Sequence, residues 1–166
     1  VRLGAGLDAN GQLGEEAVER GLATLRRFAA RLQGFAPAQV RAVATQTLRE
    51  AKNRDAFLLR AQAALGHGIE VISGREEARL IYAGVAHLQP SERTRLVIDI
   101  GGRSTEMILG RGDEPIKAES FAVGSDRSLG DLFAWFGAQI TPQTFGYAVW
   151  SVKISQIAAI LPYLLL

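Results

Sequence analysis

The sequence predicts an α/β fold built on a mixed sheet, and three features carry that reading. Short apolar, β-branched runs alternate with longer stretches whose apolar residues recur every three or four positions. Two of the strand-like runs, Arg95 to Ile100 and Thr105 to Leu109, are joined only by a Gly-rich tip, which brings a hairpin into the sheet. Glycine punctuation, including the turn signal Asn10-Gly11, falls between the runs.

Taken in order, Val1 to Leu7 alternates and is expected to be a short edge strand. Val18, Leu22, Leu25, Phe28, Ala29 and Leu32 define the apolar face of a helix that Gly34 closes. Val40 to Thr45 reads as a buried strand, and Asp55 can cap a helix running through Leu65, ended by Gly66 and Gly68. Ile69 to Ile72 is a short strand. Ser73-Gly-Arg-Glu76 has the form of a capping box and opens a helix to about Leu88. Pro115 to Val123 is the strand after the hairpin. Ser125 to Phe136 and Thr141 to about Leu161 look helical, the second with Thr141 as N-cap and Pro142 at the first helical position. Trp135, Phe136 and Trp150 are expected in the core, and His67 and His87 in a loop and on a helix surface.

Composition narrows the function classes. With 166 residues, 48% hydrophobic and 22% charged, the chain suits one globular domain and excludes a disordered segment or a coiled coil. The absence of cysteine removes disulfides and thiolate metal sites, so a reducing, cytoplasmic setting is expected. A net charge of +2 implies no nucleic-acid partner. Tyr147 to Leu166 is apolar but is interrupted by Lys153, Ser155 and Gln156, well short of the ~20 residues of a membrane span. The chain starts at Val1 and its single Met is Met107.

Three segments carry chemistry: Thr45-Gln-Thr-Leu-Arg-Glu-Ala-Lys-Asn53, Ser73-Gly-Arg-Glu-Glu-Ala-Arg-Leu-Ile-Tyr82 and Asp99-Ile-Gly-Gly-Arg-Ser-Thr-Glu106. At the hairpin tip, the amides of Gly101, Gly102 and Arg103 can approach an anion closely, and Ser104 and Thr105 add hydroxyl donors. Asp99 and Glu106 flank this tip. Carboxylates beside a phosphate repel it unless a hard cation lies between, which points to Mg²⁺ held by one or two carboxylates, waters and substrate oxygens. Read alone, the same hairpin is also a solvated Gly turn. Glu77 projects along the inward line of Ile81, Gly84, Val85 and Leu88, whereas Arg75 and Arg79 project away. A carboxylate among core positions needs a partner or a task. Desolvation would move it towards the neutral range, against a smaller effect of the nearby helix N-terminus. Arg49 has the planar fork that suits phosphate, but also suits a surface pair with Glu50 or Asp55.

Together, in this order and spacing, the three segments resemble the exopolyphosphatase and guanosine pentaphosphate phosphohydrolase (Ppx/GppA) family, from about Val1 to Phe145. The resemblance implies a ribonuclease-H-like, actin-like lobe with helices on both faces of its sheet. It places most of a first lobe, lacking its first strand, in residues 1–140, and in residues 141–166 a helix leading to an absent second lobe. It implies Glu77 as the general base that activates water, Arg49 and the tip as phosphate ligands, and Mg²⁺ as the cofactor. The implied reaction is release of terminal phosphate from polyphosphate or guanosine pentaphosphate, the latter tied to the stringent response. The intact protein is compatible with a homodimer, and this chain alone is expected to be an inactive fragment. Arg103, where the family usually has a third glycine, and Asp126, where an apolar residue is more common, depart from the pattern. A non-catalytic phosphate or nucleotide sensor on the same fold is the alternative. A sugar-kinase-like phosphotransferase fits less well, because Glu77 belongs to the phosphatase pattern.

Overall fold

The structure is a computed structural model and describes residues 1–124 and the strand residues 151–154. The chain divides into two units, Val1–Ile72 and Ser73–Leu166.

In the first unit, α1 (Glu15–Arg31) and α3 (Arg54–Leu65) pack together over Leu13, Val18, Leu22, Leu48, Ala51, Phe57 and Ala61. Between them in sequence lie β1 (Ala42–Ala44) and the short α2 (Gln46–Glu50). β1 pairs in parallel with β2 (Ile69–Val71), which follows α3. Gly66 ends α3 in the left-handed conformation, φ 78°, where a residue with a Cβ would be strained.

Three expectations for this unit change. Val1 to Leu7 is not a strand: Leu3–Gly6 forms a 3-10 turn, and Gly6 lies flush against Ala17 of α1, leaving no room for a Cβ. A segment whose glycine must pack on a helix gains nothing from an extended backbone, so its alternation is misleading. The strand over Val40 to Thr45 shortens to Ala42–Ala44 and is only half-buried. The cap of α3 is Asn53 rather than Asp55, but its side chain does not cap. Instead Asn53 accepts from the Leu13 amide at 2.9 Å and donates to the Leu13 carbonyl at 3.0 Å, closing the start of α1 onto the start of α3.

The second unit begins with α4 (Gly74–Leu88), whose N-cap Ser73 accepts from the Glu76 amide at 3.2 Å. The Glu76 carboxylate accepts from Arg79 in the next turn. Then come β3 (Thr94–Ile100), β4 (Thr105–Arg111) and β5 (Glu114–Phe121), in consecutive antiparallel pairing. A last strand, β6 (Ser151–Ile154), runs parallel to β3 and makes the sheet mixed, in the order β5-β4-β3-β6. β6 lies within the stretch expected to be helical from Thr141. Its sequence alternates β-branched Val152 and Ile154 with polar Ser151 and Lys153, a period-two signal that the longer apolar run obscures. The helix over Ser125 to Phe136, the flanks of β6, and Trp135, Phe136 and Trp150 lie outside the described residues.

The sheet's two faces follow from strand alternation. Val97 and Ile108, opposite each other, pack under α4 with Ala78, Tyr82 and Ala86. Ile98 and Met107, one residue on, form a separate cluster with Leu96, Ile100 and Phe121. The inward stripe of α4 is therefore Ala78, Tyr82 and Ala86, with Ile81 and Val85 half-buried, and Leu88, expected inside, is 59% exposed. Tyr82 sets this orientation: its ring is fully buried and its hydroxyl donates to the Gly112 carbonyl at 3.0 Å. His87 is exposed and His67 half-exposed, as their places suggested. Among the described residues no helix is long and apolar enough to cross a membrane.

Candidate active site

The alternation that sends Val97 under α4 sends Asp99 there too, two residues further along β3. Its register partner on β4 is Glu106, two residues before Ile108. Glu106 in turn faces Ser120 of β5. Glu77, in the first turn of α4, completes the set. All three carboxylates are withdrawn from solvent: Glu77 is 6% exposed, Asp99 7% and Glu106 1%. The expectation that Glu77 points inward while Arg79 points away is met, since Arg79 pairs with Glu76 on the surface.

Burial dominates the electrostatics. Desolvation, then the negative charge of Glu77, push the Glu106 carboxyl up from 4.5 to about 7, with Asp99 adding to the effect. Hydrogen bonds from Ser120 and Ser104 oppose it, the first from Ser120 Oγ to Glu106 Oε1 at 2.8 Å. Ser120 has no signal in the sequence apart from its place on a strand. Only the register, which sets it opposite Glu106, gives it a role.

The hairpin tip departs from the expected set of donors. The Gly101 amide donates to the Ser104 carbonyl at 2.9 Å and closes the turn, so it is spent inside the loop. The Thr105 hydroxyl, fully buried, donates to the Val123 carbonyl at 2.6 Å, and its one proton is committed there rather than to a phosphate. Ser104, 5% exposed, hydrogen-bonds to the Glu106 carboxylate. The apex of the turn is thus the Gly102–Arg103 peptide, and Arg103 is half-buried.

Arg49 belongs to the first unit. Its Nε and Nη2 both donate to Gln46 Oε1, at 2.9 and 2.7 Å, and its Nη1 donates to the Ile72 carbonyl at 2.9 Å. Gln46 Nε2 donates to Glu50 at 2.7 Å, so a chain of polar contacts along α2 fixes the plane of the guanidinium. Gln46, three residues before Arg49 and hence on the same helix face, is a positioning residue that helical spacing could have flagged.

The donor set of the second unit consists of hard oxygens. Among the described residues no three His, Cys, Asp or Glu side chains gather closely enough to hold a metal by themselves. A cation that keeps most of its waters and takes one or two carboxylates, as Mg²⁺ does, fits the facing pair Asp99 and Glu106.

Residues 1–136 match the Ppx/GppA phosphatase family. Among solved structures, the chain is similar to the PPX-GPPA enzyme of Aquifex aeolicus, at 32% identity and TM-score 0.65, over 81% of this chain and 44% of that one. It is also similar to an exopolyphosphatase from Cytophaga hutchinsonii, at 36% identity and TM-score 0.69, over 75% of this chain and 40% of that one. It therefore spans less than half the length of either protein.

Proposed function

The chain belongs to the Ppx/GppA phosphatase family, and from that premise we propose that it carries the water-activating and metal-binding half of a phosphoanhydride hydrolase acting on polyphosphate or guanosine pentaphosphate. One observation supports this best: Glu77, Asp99 and Glu106 are all buried, Asp99 and Glu106 beside a glycine-tipped hairpin, and the charges of Glu77 and Asp99 both act on Glu106. Three carboxylates so placed cost stability and need a task.

Each residue then has a role its chemistry can perform. Glu77 accepts the proton of the attacking water at its carboxylate, held out of bulk solvent by the α4–sheet packing. Asp99 and Glu106 hold Mg²⁺ or its waters, with Ser120 and Ser104 orienting Glu106. When bound, the ion supplies positive charge against the transferring phosphoryl oxygens. The glycine-rich tip cradles the phosphoryl oxygens in this reading, and Arg103 adds positive charge where a third glycine would add only flexibility. Arg49, fixed by Gln46, balances the charge of the substrate. Catalysis consists mainly of positioning and charge neutralisation, as phosphoryl transfer requires. The 166 residues alone are inactive in this reading.

The test is phosphate release from polyphosphate and from guanosine pentaphosphate by a polypeptide carrying this chain at the full length of the matched enzymes, with Mg²⁺ present. Glu77→Gln should lower kcat by about 10² or more, the usual contribution of a positioned base. An unchanged rate would remove Glu77 from its role. Tight binding without turnover by the unmutated protein would instead favour the sensor.

A further inference from the structure

The residues after β5 hold the hairpin tip from behind. Thr105, the first residue of β4, is fully buried and donates its hydroxyl to the Val123 carbonyl at 2.6 Å. This pins the chain just before Gly124. Gly124 is buried, and its α-carbon lies flat on the Gly102–Arg103 peptide. A Cβ added at Gly124 would overlap the Gly102 carbonyl carbon and oxygen and the Arg103 nitrogen, closer than side chains ever approach backbone. Gly124 is not among the glycines with positive φ, so a left-handed φ is not what calls for glycine there. What demands glycine here is the neighbouring peptide, and that peptide is the apex of the tip.

We propose that Thr105 and Gly124 form a buttress that sets the conformation of the Gly101–Ser104 tip, and that both are positioning residues for the anion this tip receives. The physical need is specific. A tip with two adjacent glycines has more backbone freedom than any other, and amides that bind an anion are effective only when already oriented. A side chain propping the tip from the front would occupy the anion's place. A backbone seated behind it, latched by one buried hydroxyl, orders the tip and leaves the front open. The anion-binding role rests on the function proposed above, whereas the buttress itself does not, and two measurements separate them.

The first is amide hydrogen exchange on the 166-residue chain. The Gly101 amide, bonded to the Ser104 carbonyl, reports the closed tip. Gly124→Ala and Thr105→Val should each lower its protection by about tenfold or more, while Ile98 and Met107 in the adjoining ladder keep theirs. Thr105→Ser, which retains the hydroxyl, should behave as the unmutated chain. Unaltered Gly101 protection in Gly124→Ala overturns the buttress. Should that variant fail to fold, equal protection in Thr105→Val and Thr105→Ser overturns it instead. The second is calorimetric binding of tripolyphosphate with Mg²⁺. Affinity should fall about tenfold, or 1.4 kcal/mol, in Thr105→Val and recover in Thr105→Ser. No binding by the unmutated chain would overturn the anion-binding role of the tip and leave the exchange result standing. Binding unaffected by a tip shown to be loosened would overturn the positioning role.

Discussion

Asp99 and Glu106 stand directly opposite each other on β3 and β4, on the face that α4 covers, and both are buried. Directly opposed like charges destabilise a sheet, so the pair makes stability depend on pH. Glu106 is raised from 4.5 to about 7, first by burial and then by the charge of Glu77. The native chain thus keeps the Glu106 proton through a range where the unfolded chain has lost it. For this group, stability is greatest below about pH 4.5, declines as pH rises towards 7 and is flat above, a total of roughly 3 kcal/mol. Urea midpoints of the chain at pH 4.5 and pH 8 should show the decline, and Glu106→Gln should remove most of it. Mg²⁺ added at pH 8 should restore stability in the unmutated chain and much less in Glu106→Gln. Equal slopes in the two proteins would refute the assignment.

Tyr82 and Gly110 are a matched pair under α4. A Cβ at Gly110 would meet the Tyr82 ring and come within 2.6 Å of the Glu114 carbonyl. Gly110→Ala should therefore cost about 2–3 kcal/mol by overpacking, although its φ is not positive. Tyr82→Phe keeps the ring and loses only the bond to Gly112, a cost of about 1 kcal/mol. Burial also pushes the Tyr82 hydroxyl above its usual range, so that cost should not vary between pH 6 and pH 9. Denaturant midpoints of the two variants at both pH values check the ranking and its constancy.

Asn53 belongs to a segment of the family resemblance, yet its contacts are structural. Its amide group both donates to and accepts from Leu13, forty residues away in sequence. Asn53→Ala should cost about 1–3 kcal/mol, because two half-buried backbone groups lose their partner. Asn53→Asp can still accept from the Leu13 amide but sets a carboxylate against the Leu13 carbonyl, so it should be no better than alanine. An Asp variant as stable as the parent at pH 7 would show that the donated bond carries nothing.

How much of this was legible beforehand depends on the range of the signal. Ser73 as cap, the hairpin, and the inward turn of Glu77 follow from spacings of three to four residues or of two, and the structure has all three. The pairing of Asp99 with Glu106 also follows from a hairpin whose tip is Gly101 to Ser104. What failed to show was decided by which partner engages a group, not by the spacing that places it. Thr105 looks like a phosphate donor until the carbonyl of Val123, eighteen residues on, accepts its hydrogen bond. Gly101 looks like an available amide until the turn closes on Ser104. The N-terminal alternation looks like a strand until Gly6 packs on Ala17. In the first two cases a group with the right chemistry is already engaged by another group of the chain, as a buried polar group must be.

Arg49 is the residue for which this distinction matters most to binding. Its Nε, Nη1 and Nη2 each direct a donor at Gln46 or the Ile72 carbonyl, which fixes the guanidinium plane. Lysine in its place would keep the charge but could not reproduce both the fixed plane and the fork. Arg49→Lys should therefore weaken tripolyphosphate binding by about tenfold and, because the Ile72 carbonyl loses its donor, cost about 1 kcal/mol of stability. Gln46→Ala tests the orientation separately: the charge and the fork remain, but the plane is released, so its loss should be smaller than that of Arg49→Lys and greater than zero. Calorimetry at two salt concentrations checks both, because Arg49→Lys retains the charge and should leave the salt dependence nearly unchanged. If Arg49→Lys binds as the parent does while Arg49→Ala does not, only charge is used and the contacts with Gln46 serve the fold.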